Sequence, residues 1–262
     1  MRLCLAGATG WAGSELARGI AAASDLTLVG AVARSAVGKM LSDVVAGAPA
    51  VTVSATVAEA VAGCDVLVEY TRADAAKGHV LAALAAGAHV VVGSSGLSDA
   101  DYAEIDSAAR DHGRGVLACG NFALTMVLLQ KFAAIAARYV PSWEVIDYAY
   151  GGKPDAPSGT ARELAARLGS VRAPEHAVAV ADTLGEKTAR GATLGGTQVH
   201  SVRLPGFVIG VEAIFGMPDQ TLSLRHNAGS SAKPYVDGAL LAIRKVGGLV
   251  GLHRGLDSVL DI

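Results

Sequence analysis

Charge of either sign is scarce in this 262-residue chain. Twenty-two Lys and Arg stand against 24 Asp and Glu, for a formal net charge of −2. A balance of that kind offers no global attraction for nucleic acid or an anionic membrane, so neither partner is expected and any ligand must be recognised locally. Cysteine is also scarce. Cys4, Cys64 and Cys119 lie far apart, are odd in number and show neither C-x-x-C nor Cys/His metal spacing. That pattern excludes a disulfide framework and a zinc site, and no metal is expected. Each cysteine sits in or beside an apolar run, where a buried free thiol fits a reducing, cytoplasmic setting. Long apolar runs are missing too. Val80–Val92 is broken by Gly87 and His89, and the chain opens on the strand-like Met1–Ala6 without the apolar core of a signal peptide. No bilayer span or secretory leader is expected.

What the chain has is apolar mass: 52% of its residues are hydrophobic. That composition favours a well-buried globular core over disorder. The length suffices for two modest lobes or one large α/β domain.

The first third alternates β-rich and Ala-rich runs. Arg2–Ala6 and Leu26–Ala33 read as strands flanking a helix over Ala12–Ala23. Asp65–Tyr70 and His89–Gly93 read as later strands, separated by a helix over Ala73–Ala86 that stops at Gly87. Ser98 or Asp99 can cap a helix running toward Arg110, and Gly115–Ala118 gives another strand. The alternation predicts a Rossmann-like, doubly wound parallel sheet. The pattern changes after about residue 122. Leu124–Tyr139 reads as one long helix, Trp143–Tyr150 as a strand, Gly151–Pro157 as a loop and Thr160–Leu168 as a helix. Extended runs at Val199–Leu204, Phe207–Phe215 and Gln220–His226 then predict an open, largely antiparallel mixed sheet, before a helix over Ala232–Val246. The second part is thus an α+β unit.

The first strand is followed at once by Gly7, Ala8, Thr9, Gly10, Trp11, Ala12 and Gly13, then by a helix. Glycines let the backbone turn sharply and approach a pyrophosphate, which meets the free N–H groups and positive dipole end of the helix. Tight turns of this kind also occur without a ligand; the position after the first strand favours a dinucleotide. The end of the second strand selects the cofactor. In place of the acidic residue that holds NAD ribose hydroxyls stand Ala33, Arg34 and Ser35. Arg34 can contact a 2′-phosphate bidentately and Ser35 can donate a further hydrogen bond. The expected cofactor is NADPH, with NADH weaker.

A second constellation runs from Lys153 through Asp155, Pro157, Ser158, Gly159 and Thr160 to Glu163. Pro157 stiffens a helix start that Ser158 or Thr160 can cap, with Thr160 and Glu163 spaced as a capping box. Amides at Gly159 and Thr160 would face a carboxylate, and Lys153 would supply the countercharge.

The run Lys153-Pro-Asp-Ala-Pro-Ser-Gly-Thr160-Ala resembles the signature of the 4-hydroxy-tetrahydrodipicolinate (dihydrodipicolinate) reductases, enzymes of lysine biosynthesis. Four further segments resemble that family in order and spacing. They are the Gly7–Gly13 loop, Asp65–Thr71, Val91–Gly96 and Gly120–Ala123. The closing Leu256–Ile262 also fits the family, whereas the match between about residue 165 and that tail is weaker. The resemblance implies cofactor contacts at Tyr70 and Thr71, at Gly93, Ser94 and Ser95, and at Gly120, Asn121 and Phe122. It assigns a substrate carboxylate to Lys153, Ser158, Gly159 and Thr160. It implies a dinucleotide-binding domain over residues 1–122 and 232–262 and a substrate and oligomerisation domain over 123–231. A homotetramer built through the middle sheet, or a homodimer, would follow.

One departure stands out. The family carries a histidine pair shortly before the lysine, one member serving as proton donor; here Ala149 and Tyr150 occupy those positions. Lys153 and Tyr150 become the catalytic candidates, with Tyr148 and Tyr150 expected on one strand face and Ala149 on the other. His200 and His226 read as structural, His226 being a reserve donor. The leading expectation is an NADPH-dependent reductase of a small cyclic imine or enamine carboxylate. The lysine-pathway step run by another acid, and a non-catalytic NADP-binding paralogue, stay open beside it.

Overall fold

In the computed structural model residues 1–261 are described, and they fall into two compact units. The first comprises Met1–Leu124 and the chain from Ser231 onward; the second comprises Thr125–Ser230.

The first unit opens with β1 (Arg2–Ala6), α1 (Trp11–Ala22), β2 (Thr27–Val32), α2 (Leu41–Val44), β3 (Val53–Ser54) and α3 (Val57–Ala60). It continues with β4 (Val66–Glu69), α4 (Ala73–Ala85), β5 (His89–Val92), α5 (Asp99–Asp111) and β6 (Gly115–Ala118). The helix α6 (Leu124–Tyr139) leads into the second unit, made of β7 (Ser142–Ala149), α7 (Gly159–Val171), β8 (Ala192–Leu194), β9 (Thr197–Arg203), β10 (Ile209–Met217) and β11 (Gln220–Ala228). The chain then returns to the first unit as α8 (Val236–Val246) and β12 (Gly251–Arg254).

All seven strands of the first sheet are parallel, in the order β12-β6-β5-β4-β1-β2-β3. Its central strands are apolar runs, Glu69 at the end of β4 excepted, because helices cover both faces; every residue of β4 and β6 is buried. From β1 the chain moves to β2 and β3 on one side, then crosses to β4 on the other. The carboxyl ends of β1 and β4 therefore border the switch point at which open α/β sheets hold ligands. Arg244 on α8 makes a two-pronged contact with Asp25, at 2.8 and 2.9 Å, and holds that exposed carboxyl down at about 2. Ser98 caps α5 with Asp101 in a capping box. The three cysteines are free and buried, as read from their apolar surroundings, and burial pushes the Cys119 thiol up to about 12.

The second sheet runs β11-β10-β7-β9-β8. Strand β10 is antiparallel to β11 and β7, β7 is parallel to β9, and β8 is antiparallel to β9. Alternation along β7 buries Trp143, Val145, Asp147 and Ala149 and leaves Ser142, Glu144, Ile146 and Tyr148 on the more open face. Helix α7 packs on β7 and β9.

Three local expectations are corrected. Strand β7 ends at Ala149, so Tyr150 is the first residue beyond it, although its N–H still donates to the Val208 carbonyl at 3.3 Å. The Gly151–Gly152 turn brings the Lys153 N–H back to the Tyr150 carbonyl at 3.1 Å. Helix α7 starts at Gly159 under a Ser158 cap, so the Thr160–Glu163 capping box does not form. The last long helix begins at Val236 rather than Ala232, after a tight turn over Lys233–Tyr235 that contains Pro234. Among the described residues no helix is long and apolar enough to cross a membrane.

Candidate active site

The first unit presents a groove at the carboxyl ends of β1, β2, β4, β5 and β6. Gly7 sits at φ +85°, a conformation that L side chains rarely adopt, and a Cβ there would overlap the Tyr70 carbonyl. A Cβ on Gly13 would overlap the Gly7 carbonyl. The loop thus folds tightly against both β4 and the helix it feeds. The Gly7 and Ala8 N–H groups donate to the Val32 carbonyl at 2.8 and 3.2 Å, which pins the loop to β2. The start of α1 is left open: Gly10 caps it without a side-chain bond, and no acidic residue lies in its first turn. The first-turn N–H groups of Trp11, Ala12 and Gly13 therefore point at an uncapped, positive helix end suited to a phosphate.

Two cavities lie along this groove, and both are lined by Tyr70 and Thr71. One, of about 410 Å³, is bordered by Gly7, Thr9, Gly10, Arg34 and Ser35. The Thr9 and Ser35 hydroxyls are 3.4 Å apart. The other, of about 320 Å³, is bordered by Trp11, Ala12, Gly93–Ser95 and Gly120–Phe122. Of the residues expected to contact a dinucleotide, only Ala8 and Gly13 line neither cavity; both are buried and shape the loop from behind. The groove also holds residues that the sequence reading missed. Arg72 and His79 line the larger cavity, and Tyr235, from the chain's return, lines the smaller. His79 is held through Nδ1 by Glu69 at 3.3 Å, and the fully buried Glu69 also accepts the Thr71 N–H at 3.0 Å and the Thr71 hydroxyl.

The smaller cavity is aromatic. Trp11 and Tyr235 meet edge to face at 5.7 Å, as do Tyr70 and Phe122. The Tyr70 hydroxyl and Ser94 Oγ are buried there with no hydrogen-bond partner among the described residues. Burial keeps the Tyr70 phenol protonated, well above the ordinary tyrosine range. Unpartnered buried hydroxyls beside aromatic rings suit a ring bearing a polar substituent.

In the second unit the Lys153–Thr160 segment is built on buried charge. Lys153 Nζ pairs with Asp155 Oδ1 at 2.7 Å, which holds the Asp155 carboxyl below its usual range. Ser158 is 2% exposed and fully engaged: its N–H and hydroxyl both reach Asp147, and its Oγ accepts from Ala161. Gly159 and Thr160 carry the remaining amides of the turn. Burial opposes ionisation of Asp147, but Arg203 and the Ser158 donors outweigh it and keep the carboxyl below its ordinary value.

The other proton-donor candidates are constrained. Ala149, which stands where the resemblance puts a histidine, has no proton to give and is fully buried. The Tyr148 hydroxyl donates to Glu212 at 2.9 Å, and burial together with Glu212 pushes the phenol up. His226 is nearly buried beside Thr125 and is held down by burial, hence neutral; His200 pairs with Glu144 at 2.7 Å. Tyr150 alone among these is half exposed, at 50%.

Both parts of the chain match known proteins. Residues 1–122 match the family pattern of the dihydrodipicolinate reductase N-terminus and residues 125–260 that of the C-terminus. The chain belongs to the dihydrodipicolinate reductase family. It is 35% identical to the 4-hydroxy-tetrahydrodipicolinate reductase of Bacillus pumilus (strain SAFR-032), over all of this chain and 98% of the other. It is 37% identical to the same enzyme of Moorella thermoacetica (strain ATCC 39073 / JCM 9320), again over 100% and 98% of the two chains. The dipicolinate-bound dihydrodipicolinate reductase of Paenisporosarcina sp. TG-14 superposes with a TM-score of 0.87 at 27% identity, covering 99% of each chain. As a member of this family the protein is an NAD(P)H-dependent oxidoreductase of the dihydrodipicolinate reductase type.

Proposed function

We propose that this protein is an NADPH-dependent reductase of a small cyclic imine or enamine carboxylate. The first unit acts as the dinucleotide domain and the second as the substrate and oligomerisation domain. Arg34 and Ser35 take the adenosine 2′-phosphate in the larger cavity, and the uncapped start of α1 takes the pyrophosphate. Tyr70, Thr71, Gly93–Ser95 and Gly120–Phe122 frame the nicotinamide ring. The bound cofactor supplies the hydride. Lys153 and the Gly159 and Thr160 amides hold a substrate carboxylate, while Ser158 shapes that turn rather than reaching the ligand. Tyr150 and Lys153 are the proton sources nearest that anion site in the chain, and an iminium substrate that arrives protonated lowers the demand on them. The protein works in the cytoplasm as a homotetramer or homodimer joined through the open face of the second sheet.

What supports the altered-substrate reading is the retained Lys153–Thr160 segment beside a buried Ala149 at the position where the resemblance puts the donor. A positioned general acid contributes roughly 10²–10⁴-fold to a rate. The 35% identity over the full chain to a named 4-hydroxy-tetrahydrodipicolinate reductase favours a second reading, the lysine-pathway step itself with another acid. Steady-state NADPH oxidation with that pathway's intermediate, beside a panel of five- and six-membered cyclic imine acids, separates the two. Faster turnover of another imine acid supports the first reading. Turnover of the pathway intermediate at roughly 10 s⁻¹ or above, a rate typical of enzymes, establishes the second.

A further inference from the structure

The Asp147 carboxylate lies behind the first turn of α7 and is fully buried. Its Oδ1 accepts the Ser158 hydroxyl at 2.7 Å. Its Oδ2 accepts the Ser158 N–H at 2.8 Å, the Arg203 guanidinium at 2.7 Å and the Ser201 hydroxyl at 3.2 Å. Arg203 stands on β9, across from Ala149 on β7, and also donates to the Asp155 carbonyl at 2.8 Å. Both ends of the 155–158 segment are thereby fastened, Asp155 to Arg203 and Ser158 to Asp147.

Two consequences follow for an anion arriving at this turn. The first is geometric. With the Ser158 N–H held by Asp147 and the Ala161 N–H held by Ser158 Oγ at 3.3 Å, the turn's orientation is set from behind. Gly159 and Thr160 open the first turn of α7, where N–H groups have no partner within the helix, and the space a Cβ on Gly159 would take is open. The second is electrostatic. A carboxylate whose oxygen touches the helix cap sits close to any carboxylate bound at the next two amides, and two like charges at that range repel. Arg203 cancels that charge. The Arg203 Nε is buried with no hydrogen-bond partner among the described residues.

We propose that Asp147 and Arg203 are positioning residues for the substrate carboxylate: Asp147 orients the Gly159 and Thr160 amides, and Arg203 removes the Asp147 charge from the anion's path. This rests on the reading of Lys153, Gly159 and Thr160 as the carboxylate site. It adds that a dianionic or monoanionic planar acid is admitted only while Arg203 is cationic and in place.

The test uses the full chain saturated with NADPH and pyridine-2,6-dicarboxylate as the probe, with affinity read by calorimetry. Arg203→Gln is expected to weaken probe binding at least tenfold and to raise KM for the imine acid more than it lowers kcat. Asp147→Asn is expected to lower kcat while weakening the probe less than threefold. The double variant, neutral again, is expected to regain probe affinity to within threefold of Asp147→Asn. Arg203→Lys keeps the charge and is expected to stay within threefold of the parent, which preserves the test if Arg203→Gln does not fold. NADPH affinity is expected to be unchanged throughout. Parent-like probe binding by Arg203→Gln overturns the proposal, as does a tenfold loss in Arg203→Lys or a double variant no better than Arg203→Gln. A parent protein that binds NADPH but not the probe instead overturns the carboxylate-site reading on which the proposal rests.

Discussion

The two units make their binding surfaces from different materials. Among the described residues the first unit buries one polar or charged side chain, Glu69, whereas the second buries Gln130, Asp147, Ser158, Thr197, Gln198 and His226. The first unit's phosphate loop is mostly backbone: strand ends, glycine turns and the open start of α1. The second unit's candidate anion site depends on side chains from β7, β9 and the loop before α7 that hold one another in place. A backbone site fails when atoms are added to it. A side-chain network fails when atoms are removed.

The largest effect expected from that contrast is at Gly13. Its missing Cβ leaves room for the Gly7 carbonyl, and two backbone segments cannot yield as a flexible side chain would. Gly13→Val should cost about 3 kcal/mol or more of stability and abolish NADPH binding, read by thermal melting and by quenching of Trp11 fluorescence. A stable variant that still binds NADPH would show that the loop has slack and that the first unit is not backbone-limited.

Next in size is a matched pair of truncations. Lys153→Ala removes a charge from the anion site and should lower kcat/KM by roughly 10- to 100-fold, as for a hydrogen bond to a charged group of about 1.5–3 kcal/mol. NADPH affinity should be preserved. Arg34→Ala should cost NADPH about 1–3 kcal/mol and leave NADH nearly unchanged. The comparison breaks if Lys153→Ala loses the cofactor, or if parent titrations with NADPH and NADH coincide.

The same contrast explains what was legible in the sequence. The first unit's elements follow from apolar runs and glycines, and β1 and β6 fall on the residues that pattern indicates. Short pieces such as β3, α2 and β12 carry too few residues for a period to register. Much of the groove lay in contiguous motifs, from Gly7–Gly13 to Gly120–Phe122. Tyr235 did not, because it is brought in by the return of a distant segment. In the second unit Lys153 and Ser158–Thr160 were visible as one run. Asp147 and Arg203 were not, since only the parallel pairing of β7 with β9 sets them beside Ser158. The end of β7 was read one residue too far, at Tyr150, because the Gly151–Gly152 turn closes the strand at Ala149.

The smallest effect is acid sensitivity, and it asks whether the units respond separately. Each contains a histidine that burial holds below its ordinary value: His89 in the first, where the Arg114 charge adds to burial, and His226 in the second. His89 Nδ1 accepts the Gly115 N–H at 2.9 Å, a bond that needs the neutral ring. A histidine in the unfolded chain takes its proton near pH ~6.5. Below that the unfolded chain binds more protons than the folded one, so stability rises with pH through this window. The contribution is fully present above ~6.5 and is lost as pH falls from there through the lowered folded values. Carboxylates, which titrate near ~4, stay out of the interval from about 7 to 5. Melting temperature should therefore decline between pH 7 and 5 in the parent. His89→Asn, which keeps an acceptor for Gly115, and His226→Gln should each flatten part of that decline. If the units unfold as separate transitions, His89→Asn should flatten only the one belonging to the first unit and His226→Gln only the other. A parent whose melting temperature is level across pH 7 to 5 would show that neither ring titrates on unfolding, and that the buried polar groups of the two units do not differ in this respect.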